Sequence, residues 1–259
     1  MNESRWKTSI SKVEPDRILL RGYRIEDLMG RLTYAQAVFL ALKGELPRAA
    51  ESRMIEAVLV SCVDHGTTPQ STVAAVTAAS AGSPLNAAVA AGVLAISRHH
   101  GGAIEECMLF LKRAIALSEE SRDPAGAAKE IVLEKRGAGR RVPGYGHLLH
   151  TSDPRTKRLF QIADEEGISG RYIAMAKLVE TVLEEESGRK LPLNADGAIA
   201  AVLLELVIAP ELANGFFIIS RLPGLIAHIH EERARYKPLR RIDPYNAEYD
   251  GPPERKYPG

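Results

Sequence analysis

Ser71–Ser97 reads "STVAAVTAASAGSPLNAAVAAGVLAIS", and nearly every side chain in it is small. It holds two runs of helical length, "STVAAVTAASAG" and "LNAAVAAGVLAIS", both rich in alanine and glycine. Alanine is the strongest helix former, and small side chains let helix axes approach closely. The pair is therefore predicted as helices in the crowded centre of a bundle. Helical periodicity continues on both sides. "LTYAQAVFLALKG" sets Ala37, Leu40 and Leu42 at helical spacing and stops at Gly44, with Pro47 just beyond. "ESRMIEAVLVSCV" and "GGAIEECMLFLKRAIALSEE" repeat the pattern upstream and downstream. Four more segments follow: "RTKRLFQIADEEG", "RYIAMAKLVETVLEEESG", "DGAIAAVLLELVIAP" and "GFFIISRLPGLIAHIHEERARY". Pro223 and Gly224 in the last predict two helices or one sharply kinked helix. Strand signals are confined to the first thirty residues, where "KTSISKV" and "RILLRGYRI" flank "EPD" as a small hairpin. The tail from Pro238 reads as extended. The fold class is all-α, mainly helical, with its chemistry on helix ends and loops.

At 259 residues the chain can bury a substantial core. A hydrophobic share of 45% and a charged share of 26% are ordinary for a soluble domain. The net charge of +1 lacks the basic bias of a nucleic-acid or anionic-membrane binder. Cys62 and Cys107 lie in apolar runs and read as reduced core residues of a cytoplasmic protein. The polar start "MNESRWKTSI" is not a secretory signal. The apolar stretches Ala87–Ile96 and Ala198–Ile208 are too short to span a bilayer, and Glu205 interrupts the second.

Histidines recur beside glycine or turn formers: His65 in "VDHGTTPQST", His99 and His100 in "RHHGGA", His147 in "VPGYGHLLHTSDPR" (Val142–Arg155). Glycine there admits close approach of a ligand or another backbone. The glycines after His100 open an amphipathic run, so His100 sits near a helix N-terminus, which disfavours imidazolium. A neutral histidine can polarise a carbonyl and stabilise an enolate. In "KLPLNADGAIA", Asp196 lies between a proline-containing loop and an apolar helix, a natural N-cap position. Two neutral histidines and a carboxylate suit proton transfer beside a carbonyl, or the reverse cleavage. Arg155, Arg221 and the pair Arg240–Arg241 favour a di- or tricarboxylate substrate, since the guanidinium fork matches carboxylate geometry. A metal site is disfavoured: His228 and His230 are two apart on a helix, His147 and His150 three apart, and neither an HExxH motif nor a cysteine pair is present. No Walker-type loop supports direct ATP use.

The segments "RGYRIEDL…GELP", "DHGTTPQST", "HHGGA", "VPGYGHLLHTSDPR", "LNADG" and "SRLPGLIAHIHEE" stand in the order found in the citrate synthase superfamily. The resemblance runs from about Arg21 to Pro252. The chain's length and the Thr-Thr-Pro that follows "DHG" look most like citryl-CoA lyases, the stand-alone relatives of the carboxy-terminal module of ATP citrate lyase. The resemblance implies a helical bundle with a large domain, residues 1–140 and 210–259, that includes dimer helices, and a small domain, 141–209, that carries a loop against coenzyme A.

It implies His100, His147 and Asp196 as catalytic residues, and His65, Arg155, Arg221 and Arg241 (or Arg240) as carboxylate ligands, the last from a neighbouring subunit. Gly101, Gly102, Pro143, Gly144, Tyr145 and Gly146 are implied as the coenzyme A side. Leu148 departs from relatives that carry arginine or proline there. The expected activity is cleavage of citryl-CoA to acetyl-CoA and oxaloacetate. The alternatives are condensation in the synthase direction, with citrate or 2-methylcitrate as product, and a non-catalytic CoA- or acid-binding subunit. No tightly bound cofactor and no metal are expected; coenzyme A enters as a thioester substrate. Partners are expected to be small acids, acyl-CoA and at least one further copy of the chain, with no nucleic acid and no membrane.

Overall fold

A computed structural model describes residues 6–98, 100–146, 152–240, 250–251 and 253–256. The expected hairpin forms, with strands β1 (Ser11–Glu14) and β2 (Arg17–Leu20) in antiparallel register, Val13 opposite Ile18. A third strand, β3 (Tyr23–Arg24), was not foreseen; it pairs Leu20 with Tyr23 to give the order β1-β2-β3. Arg21 and Gly22 make the extra reversal, with φ of 48° and 88°. The left-handed backbone at Arg21 is held because its guanidinium donates twice to the Ala41 carbonyl, at 3.1 and 2.8 Å.

The helices follow as α1 (Ile25–Leu28), α2 (Tyr34–Lys43), α3 (Ala49–Ser61), α4 (Gln70–Ser80), α5 (Leu85–Leu94) and α6 (Ala103–Ser121). After them come α7 (Pro124–Gly137), α8 (Pro154–Glu165), α9 (Arg171–Ser187), α10 (Ala195–Glu205) and α11 (Ala213–Arg235). Local chemistry sets their ends. Thr33 and Gln36 form a capping box at the start of α2, and Gly44 ends it at φ 92°. Asp123 and Asp153 cap α7 and α8, each followed by a proline in the first turn.

The centre of the bundle is α10, not the alanine-rich pair. From Gly197 to Leu204 its residues are buried without interruption, and it packs on α6, α8 and α9. Close approach between α4 and α5 is nonetheless real: a Cβ on Gly92 would lie 2.9 Å from the Ser71 carbonyl oxygen. That pair packs on α11 in a smaller, separate cluster of Ala75, Ala79, Ala88, Leu225 and Ile229. Val73, Leu85 and Leu94 stay 50%, 45% and 82% exposed. Small side chains fix how close two helices come; a wholly buried helix also needs apolar residues all round, which α10 has and α4 lacks.

Nor does α11 break into two. It runs unbroken from Ala213 to Arg235 with Pro223 inside. Its span with the preceding turn, Pro210–Arg235, is long and apolar enough by composition to cross a membrane. Here it is a packing element, with Phe216, Phe217, Leu225 and Ile229 buried in the bundle.

Candidate active site

Four segments meet at a pocket of about 160 Å³: the turn after α3, the Ser97–Gly102 loop, the start of α8 and the start of α10. One face of α11 closes it. Drug-sized ligand pockets run to roughly 300–1,000 Å³, so this one suits a small acid. Of the residues expected from sequence, His65, His100, Gly101, Arg155, Asp196 and Arg221 line it together. His147, His150, Leu148 and Arg241 lie outside the described residues.

His100 is set by a tight turn in which Ser97 and His100 exchange backbone hydrogen bonds of 2.9 and 2.8 Å. Its Nε2 lies 2.8 Å from the hydroxyl of Ser71, a fully buried α4 residue that sequence reading passed over. The ring meets Phe217 edge-on at 5.7 Å. Burial, then the nearby Arg221 and His65, pushes the His100 pKa below 6.5. The imidazole is thus neutral at pH 7, as expected, but desolvation and neighbouring charge supply the cause. Gly101 faces the pocket, yet its Cβ would sit 2.8 Å from the Phe217 ring, so that glycine also serves helix packing.

Asp196 is not the N-cap. Asn194 caps α10 by accepting from the Gly197 N–H at 3.1 Å, which leaves the Asp196 carboxylate free of that duty. Burial raises the Asp196 pKa; Arg155 and Arg221 pull it back, and Asp153 adds to the rise. A carboxyl that holds its proton more firmly than usual can deliver it to a carbanion or enolate. The thiols of Cys62 and Cys107 are free and buried beside it. Burial and then the Asp196 charge push Cys62 up to about 11, so it stays a thiol.

The arginines differ in their commitments. Arg155 grips Asp153 through Nε and Nη2, at 3.0 and 2.7 Å. Burial works against the Asp153 charge, but these bonds outweigh it and hold its carboxyl below the usual range. Arg221 is 2% exposed; its Nε donates to the Cys62 carbonyl at 2.9 Å, and its guanidinium lies 5.0 Å from the Phe217 ring centre. Its buried Nη1 has no hydrogen-bond partner among the described residues. Burial lowers the Arg221 pKa, a sign of how little compensates its charge. Arg240 stands apart from this pocket. It is ion-paired with Glu232 of its own chain and lies over the Tyr236 ring at 4.7 Å.

The loop Pro143–Gly146 is laced to the approach of α10: Gly146 N–H donates to Pro192 at 2.7 Å, Asn194 N–H to Gly144 at 3.0 Å. The Asn194 amide donates to Gly146 at 3.0 Å. Gly144, at φ 83°, is required by packing, since its Cβ would lie 2.7 Å from both Cys107 Sγ and Gly197 Cα. Of the two uses expected of such a glycine, this is the close approach of another backbone. Among the described residues, a Cβ on Gly146 would meet only Leu191, at 3.8 Å. Gly102 is the N-cap of α6, against the Arg98 backbone. Outside this loop a hollow of about 440 Å³ is lined by Arg136, Arg140, Arg141, Tyr145, Leu183 and Leu191. These arginines were missed, although "KRGAGRRVPGYG" carries them directly before the loop. Among the described residues no group of three or more His, Cys, Asp or Glu is placed to hold a metal ion. His228 is instead bonded to Asp64 at 2.9 Å.

Fold and pocket together define a mainly helical protein in which two arginines, two histidines and a buried aspartate line one small pocket. Residues 49–242 match the family described as citrate synthase, C-terminal domain, and the chain belongs to that family. A solved citryl-CoA lyase from Hydrogenobacter thermophilus is similar at 44% identity and a TM-score of 0.90, over 98% of this chain and 97% of that one. An ATP citrate lyase from Methanothrix soehngenii, solved with citrate and coenzyme A, is 25% identical with a TM-score of 0.85, over 98% of this chain and 43% of that one. The ATP-citrate synthase beta chain protein 2 of Arabidopsis thaliana is 29% identical over 241 residues, 86% of this chain. The chain spans 37% of that relative's length.

Proposed function

We propose that the protein is a citryl-CoA lyase, cleaving citryl-CoA to acetyl-CoA and oxaloacetate by a retro-aldol step through the thioester enolate. The observation that carries this reading is the buried Nη1 of Arg221, without a hydrogen-bond partner among the described residues, in a pocket shared with a neutral His100 and with Asp196, whose pKa burial raises. An unsatisfied buried donor is costly, and a substrate carboxylate relieves it. The 44% identity to a citryl-CoA lyase over nearly the whole chain supports the same substrate.

In this reading His65, Arg155 and Arg221 hold the acid's carboxylates. A Ser71 hydroxyl that donates to Nε2 keeps the His100 proton on Nδ1, the tautomer able to donate to the thioester oxygen. His147 takes the proton of the substrate's tertiary hydroxyl. The carbon–carbon bond then breaks, its electrons passing to the thioester as an enolate while the hydroxyl carbon becomes the ketone of oxaloacetate. Asp196 supplies the proton that converts the enolate carbon to the acetyl methyl. Coenzyme A lies along Pro143–Gly146, with Arg136, Arg140 and Arg141 as cations for its phosphates. Residues 141–209 form the small domain that brings this loop to the acid. The protein works as a homo-oligomer in which Arg241 reaches a neighbour's site; the exposed apolar residues of α4 and α5 support such an assembly.

The deciding experiment incubates the protein with citryl-CoA and analyses both products. Acetyl-CoA and oxaloacetate in equal amounts are expected. Citrate plus free coenzyme A alone means thioester hydrolysis and overturns the lyase reading. A parallel incubation with acetyl-CoA and oxaloacetate measures the synthase direction through the same groups.

A further inference from the structure

We propose that His228 is a positioning residue for the acid-binding site: through Asp64 it fixes the turn that presents His65 to the pocket. The inference rests on the reading of His65 as a ligand of the acid. His228 does not line the pocket that His65 lines. It lies on α11, and four residues along that helix grip the chain that leads to His65. Ser220 donates its hydroxyl to the Leu59 carbonyl. Arg221 Nε donates to the Cys62 carbonyl at 2.9 Å. Gly224 lets the helix backbone press on the turn, since a Cβ there would lie 2.3 Å from the Val63 carbonyl oxygen and 2.9 Å from Asp64 Oδ1. His228 Nε2 then meets Asp64 Oδ1 at 2.9 Å.

The Asp64 carboxylate is the hinge of this contact. Its second oxygen accepts the Gly66 N–H at 2.9 Å, and the carboxylate also accepts from the His65 N–H. His65 is therefore bracketed by a carboxylate tied on both sides. Burial opposes the charge on Asp64, but the bonds from Gly66 and His228 outweigh it and hold its pKa below 3.8. An ionised carboxylate only accepts, so Nε2–H of His228 is the donor. Asp64 is 40% exposed in its side chain, whereas His228 is 16% exposed. Without its half-buried partner the carboxylate can rotate towards water and release the turn. Arg221, the other anchor of the acid, belongs to the same helix face, so one element sets the spacing between the two ligands.

The test is calorimetric binding of oxaloacetate and, separately, of acetyl-CoA. His228→Ala is expected to weaken oxaloacetate about tenfold, the scale of one hydrogen bond to a charged group, and to leave acetyl-CoA nearly unchanged. His228→Gln, whose amide nitrogen falls close to Nε2, restores most of the affinity. Combined with Asp64→Ala, the histidine substitution adds no further loss. Should His228→Ala fail to fold, His228→Asn, too short to reach Asp64, gives the same comparison. Unchanged oxaloacetate affinity in a variant lacking the contact, equal weakening of both ligands, or additive losses in the double variant overturns the proposal. A folded wild-type protein that binds acetyl-CoA but no oxaloacetate removes the acid-site reading itself, and this inference with it.

Discussion

Asp196 is exposed to a conflict that its neighbours only partly resolve. Its surroundings desolvate the carboxylate more than Arg155 and Arg221 stabilise it, so its pKa in the fold stands above 3.8. A carboxyl with a raised folded pKa binds its proton more tightly folded than unfolded. Stability is therefore lost as pH rises through the window above 3.8, where the unfolded chain has already ionised. Asp196→Asn keeps the shape, removes the charge and cannot exchange a proton. It should abolish solvent exchange of the acetyl-CoA methyl protons while leaving coenzyme A binding nearly intact. The same variant should melt no lower than the wild type at neutral pH, with any gain fading towards and below pH 3.8. Proton exchange followed by NMR and melting curves across pH check both halves. Near-wild-type exchange removes Asp196 from the mechanism; a lower melting temperature at pH 7 contradicts the origin given for its pKa.

At the level of elements, a residue that looks misplaced in sequence proves to be a cap. Glu205 interrupts an apolar run at the last position of α10, and its carboxylate accepts the N–H groups of Tyr172 and Ile173 at 2.8 and 3.0 Å. It thus satisfies the open start of α9 from a neighbouring helix. Gly170, the N-cap of α9, makes room for it, since a Cβ there would lie 2.5 Å from Glu205 Oε2. Glu205→Ala should cost about 1–2 kcal/mol, as loss of a cap does, and lower Tm by roughly 2–8 °C. Glu205→Gln should lose less. An unchanged Tm in the alanine variant shows that water replaces the carboxylate without cost. The pattern recurs in what sequence could and could not reveal. The ends of α2, the β1–β2 hairpin and the meeting of His65, His100, Asp196 and Arg221 follow local spelling or ordered motifs. The centrality of α10, the Asn194 cap, and the hold of Ser71 on His100 depend on partners far along the chain. Local periodicity carries no record of those partners.

For the whole molecule, the open question is how many chains make one site. The described part of the chain keeps Arg240 occupied: it pairs with the buried Glu232, and its backbone N–H donates to the Ser80 hydroxyl at 2.5 Å. Leu239 adds a bond to the Ser80 carbonyl at 2.9 Å, so the chain is moored to α4 immediately before Arg241. In the proposed assembly, Arg241 is thereby favoured over Arg240 as the residue offered to a neighbour. In addition, α4 and α5 leave Val73, Leu85 and Leu94 uncovered, side chains that an assembly can bury. Arg241→Ala and Asp196→Asn should each be inactive alone. Mixed under conditions of subunit exchange, they should recover activity. Random exchange between dimers makes half of them hybrids with one of two sites intact, so recovery should approach about a quarter of wild type. Exchange can be followed independently by mass spectrometry of differently labelled subunits. Hybrids that demonstrably form and stay inactive mean that each site draws its arginine from its own chain.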